Sequence, residues 1–139
     1  MRLPKNIPTY GDTGYRGDCK LERLEQIDCY HWLKYHHPTY GRLFIHQRNE
    51  GKKGYRQISH EKKDGSMNPG VSDIVIPGNP SFVAELKRKD HTKSSLPADE
   101  LDYLEVAQST GCFVCVVLGF DGFKEAFEEW LNTQDSDRA

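Results

Sequence analysis

Three charged side chains lie within apolar runs of residues 70–90, where ordinary packing does not explain them. Asp73 interrupts the first run, and Glu85 and Lys87 flank a leucine in the second. Since side chains alternate faces along a strand, Glu85 and Lys87 are expected to share one face. Two carboxylates beside an ammonium group can hold Mg²⁺ or Mn²⁺ and orient a water against a phosphate. The segment therefore predicts hydrolysis of a phosphodiester bond.

A simpler interpretation is that Glu85 and Lys87 form an ion pair on a half-exposed strand. Asp73 favours the chemical interpretation, because an unpaired carboxylate within an apolar strand is costly to bury. We therefore expect Asp73 to have a partner such as a metal ion.

The two apolar runs predict a β-hairpin whose turn is the Pro-Gly-Asn-Pro sequence of residues 77–80. Asp73 then lies opposite Ala84 or Glu85, depending on whether the turn has four or five residues. A slip of one residue moves a whole strand to the other face. Asp73 and Glu85 share a face only if the loop is odd or a bulge lies near Asp73, and we expect such an irregularity.

The composition is that of one domain with a modest core. The 139 residues carry a formal net charge of −2, but residues 47–93 have an excess of basic side chains and residues 94–139 an excess of acidic ones. A basic region around the proposed site is typical of proteins that contact phosphates. For any single lysine in this region, a solvated loop charge is the better explanation.

The first residues contain neither the apolar region of a signal peptide nor a segment long enough to span a bilayer, so the cytoplasm is the expected location. Cys112 and Cys115 lie three residues apart in an apolar run. On a strand their side chains would point to opposite faces. Free cysteines are therefore expected in place of a zinc site.

The first half of the chain predicts one helix and one short strand before the hairpin. Residues 1–17 form an irregular arm, and Asp18 is the N-cap of a helix that ends near Tyr35. On that helix Glu22, Gln26, Cys29 and Leu33 share one face. Glu22 and Gln26 lie either at the margin of the core or toward the active site, and spacing leaves both open. After a turn, a strand at residues 43–46 leads into polar, glycine-rich loops.

The second half predicts a helix at residues 97–110 that is capped by Ser94 or Ser95 and ends at Gly111. A buried strand at residues 112–118 and a helix that begins at Asp121 follow, and residues 132–139 are predicted to be disordered. The resulting order is αβββαβα. Residues 18–131 form a single α/β domain.

Together these features resemble the VRR-NUC domain, the virus-type replication-repair nuclease branch of the PD-(D/E)xK superfamily. The resemblance covers residues 20–131. It rests on a Glu-x-x-x-Gln…Trp-Leu helix, an Asn-x-Gly loop, a Gly-Val-Ser-Asp segment, a Glu-Leu-Lys segment and a glycine between the next helix and strand. These features are Glu22, Gln26, Trp32 and Leu33, then residues 49–51, 70–73 and 85–87, and finally Gly111.

The resemblance implies a restriction-endonuclease-like αβββαβ core, with a mixed central sheet flanked by helices, and a C-terminal helix. It also implies that Mg²⁺ or Mn²⁺ is bound by Asp73, Glu85, the backbone carbonyl of Leu86 and Glu22, in preference to Glu25. Lys87 would position the nucleophile. The implied catalytic set is Glu22, Asp73, Glu85 and Lys87.

Side chains around this set are predicted to bind the DNA backbone, which gives affinity without reading sequence. These residues are Arg48, Asn49, Lys52, Lys53, Arg88 and Lys89. Gln26 and Glu100 are candidate accessory residues. Glu100 stands where relatives often carry glutamine, and an acid there disfavours phosphate unless a cation intervenes. At Ser72, where relatives often carry proline, the departure is milder.

The implied function is a structure-specific endonuclease for branched DNA, such as Holliday junctions or flaps, in replication or repair of a viral genome. The alternatives are an inactive DNA-binding module, a flap or nicking nuclease, and a restriction-type endonuclease, and an RNA substrate also stays open. Paired cuts in a four-way junction predict a homodimer. Six aromatic residues could form its interface or belong to the core: Trp32, Tyr35, Tyr40, Phe123, Phe127 and Trp130.

Overall fold

A computed structural model describes residues 1–46 and 70–138 of the chain. The predicted basic loop, with Arg48, Asn49, Lys52 and Lys53, lies outside the described residues. Among those that are described, no helix combines the length and apolar character needed to cross a membrane.

The elements run in the order β1 α1 α2 β2 β3 β4 α3 β5 α4, with a short 3₁₀ turn, His91–Lys93, between β4 and α3. The strands are β1 (Thr9–Tyr10), β2 (Ile45–His46), β3 (Ile74–Ile76), β4 (Phe82–Lys87) and β5 (Phe113–Leu118). The helices are α1 (Glu22–His36), α2 (Pro38–Leu43), α3 (Ala98–Ser109) and α4 (Gly119–Arg138).

The five strands form one mixed sheet in the order β1-β5-β4-β3-β2. β4 pairs with β5 in parallel, whereas β3 pairs with β4 and with β2 in antiparallel fashion. The parallel β4–β5 pair requires a crossover, and α3 supplies it. The predicted α/β fold with a mixed sheet, flanking helices and a C-terminal helix is confirmed.

The register of the hairpin answers the question that the turn length had left open. Ile76 pairs with Phe82 and Ile74 pairs with Ala84, so five residues, 77–81, connect the strands. The same register places Asp73, directly before β3, opposite Glu85. Residues directly opposite each other in an antiparallel pair lie on one face, so the odd loop alone brings the two carboxylates together.

A hydrophobic core packs on each face of the sheet, and the side chains of β4 point alternately into the two cores. Phe82, Ala84 and Leu86 pack in one cluster with residues of α1 and α4. Val83 packs on the other face with Leu104 of α3 and with Val114 and Val116 of β5. The side chains of Glu85 and Lys87 lie on the same face as Val83, as predicted, at the C-terminal end of β4.

The N-terminal arm is part of the sheet, whereas the sequence predicted an irregular segment. β1 pairs in parallel with β5, and the amide of Val116 donates to the carbonyl of Pro8 at 2.9 Å. The side chain of Ile7 is buried in the second core cluster. A strand of two residues has no periodicity of its own, so only the pairing with β5 reveals it.

The first helix begins later than predicted. Leu21, not Asp18, is the N-cap of α1, because the guanidinium of Arg88 binds the carbonyls of Cys19 and Lys20 and holds them outside the helix. Cys29 and Leu33 are fully buried, which confirms the predicted inward face. The predicted turn after this helix is instead the short helix α2, for which Pro38 provides a favourable first residue.

The last helix begins before Asp121 and continues to Arg138, beyond its predicted end at Leu131. Residues 132–138 are therefore helical, whereas the sequence predicted disorder from residue 132. Gln134 explains the extension, because its buried side chain accepts from the amide of Asn79 at 3.1 Å and donates to the carbonyl of Pro80 at 3.2 Å.

The four cysteines form no disulfide with one another, and Cys29 and Cys115 are buried. Burial raises the pKa of both thiols. They serve the core as small apolar side chains.

Candidate active site

A pocket of about 490 Å³ opens at the end of β4, between the start of α1 and the start of α3. Its lining contains four carboxylates, four cationic side chains and one carboxamide. The lining residues are Leu21, Glu22, Arg23, Gln26, Asp73, Glu85, Leu86, Lys87, Arg88, Lys93 and Glu100. The four predicted catalytic residues are thus brought to one pocket from three separate parts of the chain.

Asp73 lies directly before β3, and its side chain binds the backbone of β4. Its Oδ2 accepts a hydrogen bond from the amide of Leu86 at 2.9 Å, in the position of a ladder acceptor. Burial raises the pKa of Asp73, and a hydrogen bond with Glu85, this amide and Lys87 oppose the rise. The carboxylate is therefore held rigidly on the strand that also carries Glu85.

Glu85 is the most deeply buried ionisable residue that lines the pocket. The residue is only 2% exposed. Its Oε2 is buried and has no hydrogen-bond partner in the described part of the chain. Burial, followed by the charge of Asp73 and a hydrogen bond with it, raises the pKa of Glu85 to about 12, although Lys87 acts in the opposite direction. A carboxyl group in this setting ionises when a cation is supplied.

Lys87 places its ammonium among three carboxylates. Its Nζ lies 2.7 Å from Oε1 of Glu100, 3.7 Å from Oε1 of Glu85 and 3.9 Å from Oε1 of Glu22. Burial alone would lower the pKa of Lys87, but the hydrogen bond to Glu100 and the charges of the three carboxylates outweigh it, so the pKa is raised. The side chain therefore carries its positive charge into the pocket.

Glu22, and not Glu25, reaches the pocket from the first turn of α1. Partial burial raises the pKa of Glu22, whose side chain is 44% exposed. Glu25 is buried elsewhere, where its carboxylate accepts a hydrogen bond from the amide of Phe120 at the start of α4. Both glutamates favour the N-terminus of a helix, but only one lies at the pocket.

Ser94 is a residue at this site that the sequence had suggested only as a helix cap. Its hydroxyl accepts from the amide of Arg88 at 2.9 Å and donates to Oε1 of Glu22 at 3.3 Å. It therefore links the end of β4 to the first turn of α1. The helix that Ser94 was expected to cap begins later, with Pro97 as its N-cap.

Gln26 also lines the pocket, one turn after Glu22. Its Nε2 is buried and finds no hydrogen-bond acceptor among residues 1–46 and 70–138. A buried amide donor without a partner is costly in a folded protein. The pocket thus has an unpaired donor in Gln26 and an unpaired acceptor in Glu85.

The two described residues of the predicted DNA-binding set both have partners within the chain. Arg88 lines the pocket, but its guanidinium binds the carbonyls of Cys19 and Lys20. The ammonium of Lys89 lies over the ring of Tyr15, 4.5 Å from its centroid. Lys93, from the predicted basic region, and Arg23, which the sequence had not singled out, also line the pocket.

The donor set fits a divalent cation that retains much of its water. Within the described residues, no three histidine, cysteine, aspartate or glutamate side chains form a ready cage for a metal ion. Mg²⁺ does not require one, since it is commonly bound by one or two carboxylates and several waters. Asp73 and the unpaired Oε2 of Glu85 provide such a pair of ligands.

Comparison with known proteins supports the fold. No protein-family model matches the chain. No curated protein matches it either. Among solved structures, a protein named "VRR_NUC domain protein" superposes with a TM-score of 0.66, at 15% identity, over 85% of this chain and 92% of that one. At this identity the likeness shows the fold alone, and we conclude that the chain has a VRR-NUC-like fold.

Proposed function

We propose that this protein is a metal-dependent endonuclease that hydrolyses phosphodiester bonds in branched DNA, of the stand-alone viral VRR-NUC type. One observation carries the proposal: a buried carboxyl pair, Asp73 and Glu85, opens into a pocket beside the ammonium of Lys87, with one oxygen of Glu85 unpaired. A buried acceptor without a hydrogen-bond partner costs about 1–3 kcal/mol, and a bound cation would offset that cost.

In this proposal Asp73, Glu85 and Glu22 hold Mg²⁺ or Mn²⁺ together with the backbone carbonyl of Leu86. The amide of Leu86 already points at Asp73. The N–H and C=O groups of one strand residue lie on the same side, so this carbonyl faces the same edge. When bound, the ion supplies Lewis-acid stabilisation of the charge that develops on the phosphate, and an acidified water.

Lys87 and Gln26 complete the site on the protein side. The ammonium of Lys87 neutralises negative charge and orients the attacking water. The unpaired Nε2 of Gln26 is placed to donate to a phosphate oxygen, which would satisfy a donor that otherwise stays without a partner among the described residues. The two side chains act on the substrate from the same pocket.

Contacts with the DNA backbone are proposed for cationic side chains at the pocket and in the basic loop. Arg23 and Lys93 line the pocket, and this supports their part in holding phosphates, although the ammonium of Lys93 also donates to the carbonyl of Gly17 at 2.8 Å. Arg88 and Lys89 belong to the set as well, although their contacts with Cys19 and Tyr15 make their charged groups less available to a phosphate. Arg48, Asn49, Lys52 and Lys53 remain proposed from the sequence.

A homodimer is proposed because one site cuts one strand, whereas a four-way junction requires two symmetric cuts. The predicted interface needs revision. Phe123, Phe127 and Trp130 are fully buried in the core, and Trp32 and Tyr40 pack against it. Tyr35 alone of the six is strongly exposed, at 83%.

The exposed face of α1 offers a second copy three apolar side chains, which share the face with Asp28 and His31. Leu24 and Ile27 are exposed, and helical spacing places them on the same side as Tyr35, away from Cys29 and Leu33. Leu24→Glu is expected to convert the dimer to a monomer in sedimentation analysis. The exposed Val106 on α3 provides the control, because Val106→Glu should leave the dimer intact.

The test of the activity is a cleavage assay with labelled four-way junction, flap, linear duplex and single-stranded DNA, and matching RNA. Cleavage of the branched substrates in Mg²⁺ or Mn²⁺, and its loss in EDTA, are expected. Asp73→Asn should abolish cleavage, whereas Asp102→Asn, on the exposed face of α3, should retain it.

Each contrary outcome has a definite meaning. Undiminished cleavage in EDTA would refute the metal, and preference for linear duplex would refute the branched substrate. Binding without cleavage under all metal conditions would leave a DNA-binding module.

A further inference from the structure

We propose that Glu100 is a positioning residue that holds the Lys87 ammonium away from Glu85 and Glu22, so that these carboxylates stay free for a divalent cation. The inference rests on the proposed function, since it concerns the same pocket. Its test, however, measures metal binding and not cleavage.

The distances around Lys87 are unequal. Only Oε1 of Glu100, at 2.7 Å, lies within hydrogen-bonding distance of Nζ among the carboxylates of the pocket. Oε1 of Glu85 and Oε1 of Glu22 lie at 3.7 and 3.9 Å, which is beyond it. The ammonium is therefore bound by one carboxylate and is only near the other two.

The backbone fixes Glu100 relative to the metal ligands. Glu100 lies in the first turn of α3, and the preceding residue, Asp99, packs directly on Gly70. A Cβ at Gly70 would lie 2.1 Å from the carbonyl oxygen of Asp99 and 2.8 Å from the amide nitrogen of Glu100, and Gly70 has a φ of +72°. This close contact joins the start of α3 to the segment that carries Asp73.

Without Glu100, Lys87 would have other partners close by. Its four-carbon stem is flexible, and charge-assisted hydrogen bonds have lengths of about 2.7–2.9 Å, so a shift of about 1 Å would join Nζ to Glu85. An ammonium bound to Glu85 competes with a metal ion for the same oxygens. The contact with Glu100 prevents this competition.

Two other roles for Glu100 lead to different behaviour. Glu100 could be a ligand of the cation, or it could attract the cation by charge alone. In either case the loss of Glu100 weakens metal binding whether or not Lys87 is present. If Glu100 acts by holding Lys87, its loss matters only when the ammonium is there.

The experiment is a double-mutant cycle read by calorimetric titration of the metal-free full chain with Mn²⁺. Glu100→Ala is expected to weaken Mn²⁺ binding about 10-fold, the scale of a residue that orients a ligand indirectly. In a Lys87→Met background the same substitution should have no effect. Glu100→Gln keeps an acceptor oxygen for the ammonium, so its loss of affinity should be smaller. Glu105→Ala removes an exposed carboxylate from the same helix and controls for charge.

An equal loss of affinity in both backgrounds, or no loss in either, would overturn the role of Glu100 while leaving the metal site intact. If the wild type fails to bind Mn²⁺ at all, the proposed function falls and this inference falls with it. Should Lys87→Met fail to fold, the ¹⁵N resonance of the Lys87 ammonium provides the measurement. Its scalar coupling across the hydrogen bond should pass from the carboxyl carbon of Glu100 in the wild type to that of Glu85 or Glu22 in Glu100→Ala, and the absence of such a new coupling would overturn the inference.

Discussion

Glu85→Gln is expected to change how the stability of the metal-free protein depends on pH. Glu85 has an ordinary pKa of 4.5 and a pKa of about 12 in the folded protein, because it is buried beside Asp73. Between these values the folded side chain keeps a proton that the unfolded chain releases. The folded state therefore loses stability as the pH rises above about 4.5, and the slope for one proton is about 1.4 kcal/mol per pH unit.

Glutamine does not titrate, so the variant lacks this contribution. Over the range from about pH 5 to pH 8, the free energy of unfolding of the wild type should fall by about 4 kcal/mol relative to that of Glu85→Gln. Titrating groups remote from Glu85 are common to the two proteins and largely cancel in the difference, whereas Asp73 titrates together with Glu85 and changes with it. The amide of the variant adds a constant that does not affect the slope.

The assay is chemical denaturation in EDTA at several pH values, with Glu105→Gln as the control because Glu105 is exposed. The control should follow the wild type. A second series in saturating Mg²⁺ should stabilise the wild type and not Glu85→Gln, since binding to the folded state raises its stability. Parallel pH curves for the wild type and Glu85→Gln in EDTA would refute the description of Glu85 as a buried, protonated carboxyl group.

Three further outcomes are expected. Lys87→Ala should abolish turnover while leaving DNA affinity in Ca²⁺ unchanged, because the ammonium serves the transition state; normal cleavage kinetics would show that the site is misassigned. Ile7→Ala should lower the free energy of unfolding by about 2–5 kcal/mol and the exposed Val106→Ala by much less, as measured by denaturation, because Ile7 is buried. The hydroxyl of Thr92 and the amide of Gly17 lower the pKa of Asp90 to about 2, so its contribution to stability is complete above pH ~4 and is lost as the pH falls toward 2. Asp90→Asn should therefore lose less stability over that acid range, and identical acid unfolding curves would contradict this.

Local patterns predicted the elements that carry the site. The alternation of β4 placed Glu85 and Lys87 on one face, and the helical spacing of α1 placed Glu22 and Gln26 in line with the buried Cys29. Both patterns depend only on the geometry of one element and on the division of its side chains between core and surface. For this reason they could be recognised without the fold.

Features that depend on two distant segments were missed or left open. The strand β1 exists only because β5 lies beside it, and the last helix is extended by the contact of Gln134 with the turn of the hairpin. Ser94 looked like a helix cap, whereas it bridges β4 and α1. In each case the partner is remote in sequence, so no local pattern could identify it.

The sequence by itself determined that two carboxylates and a lysine lie on neighbouring strands of an α/β domain. Only the tertiary structure decided that the hairpin loop has five residues and that Glu100 binds Lys87 at 2.7 Å. The physical reason is that spacing along the chain fixes the face of a side chain but not its partner. The partner depends on how helices and strands from remote parts of the chain pack together, and at this site that packing sets the pKa of Glu85 and the position of the Lys87 ammonium.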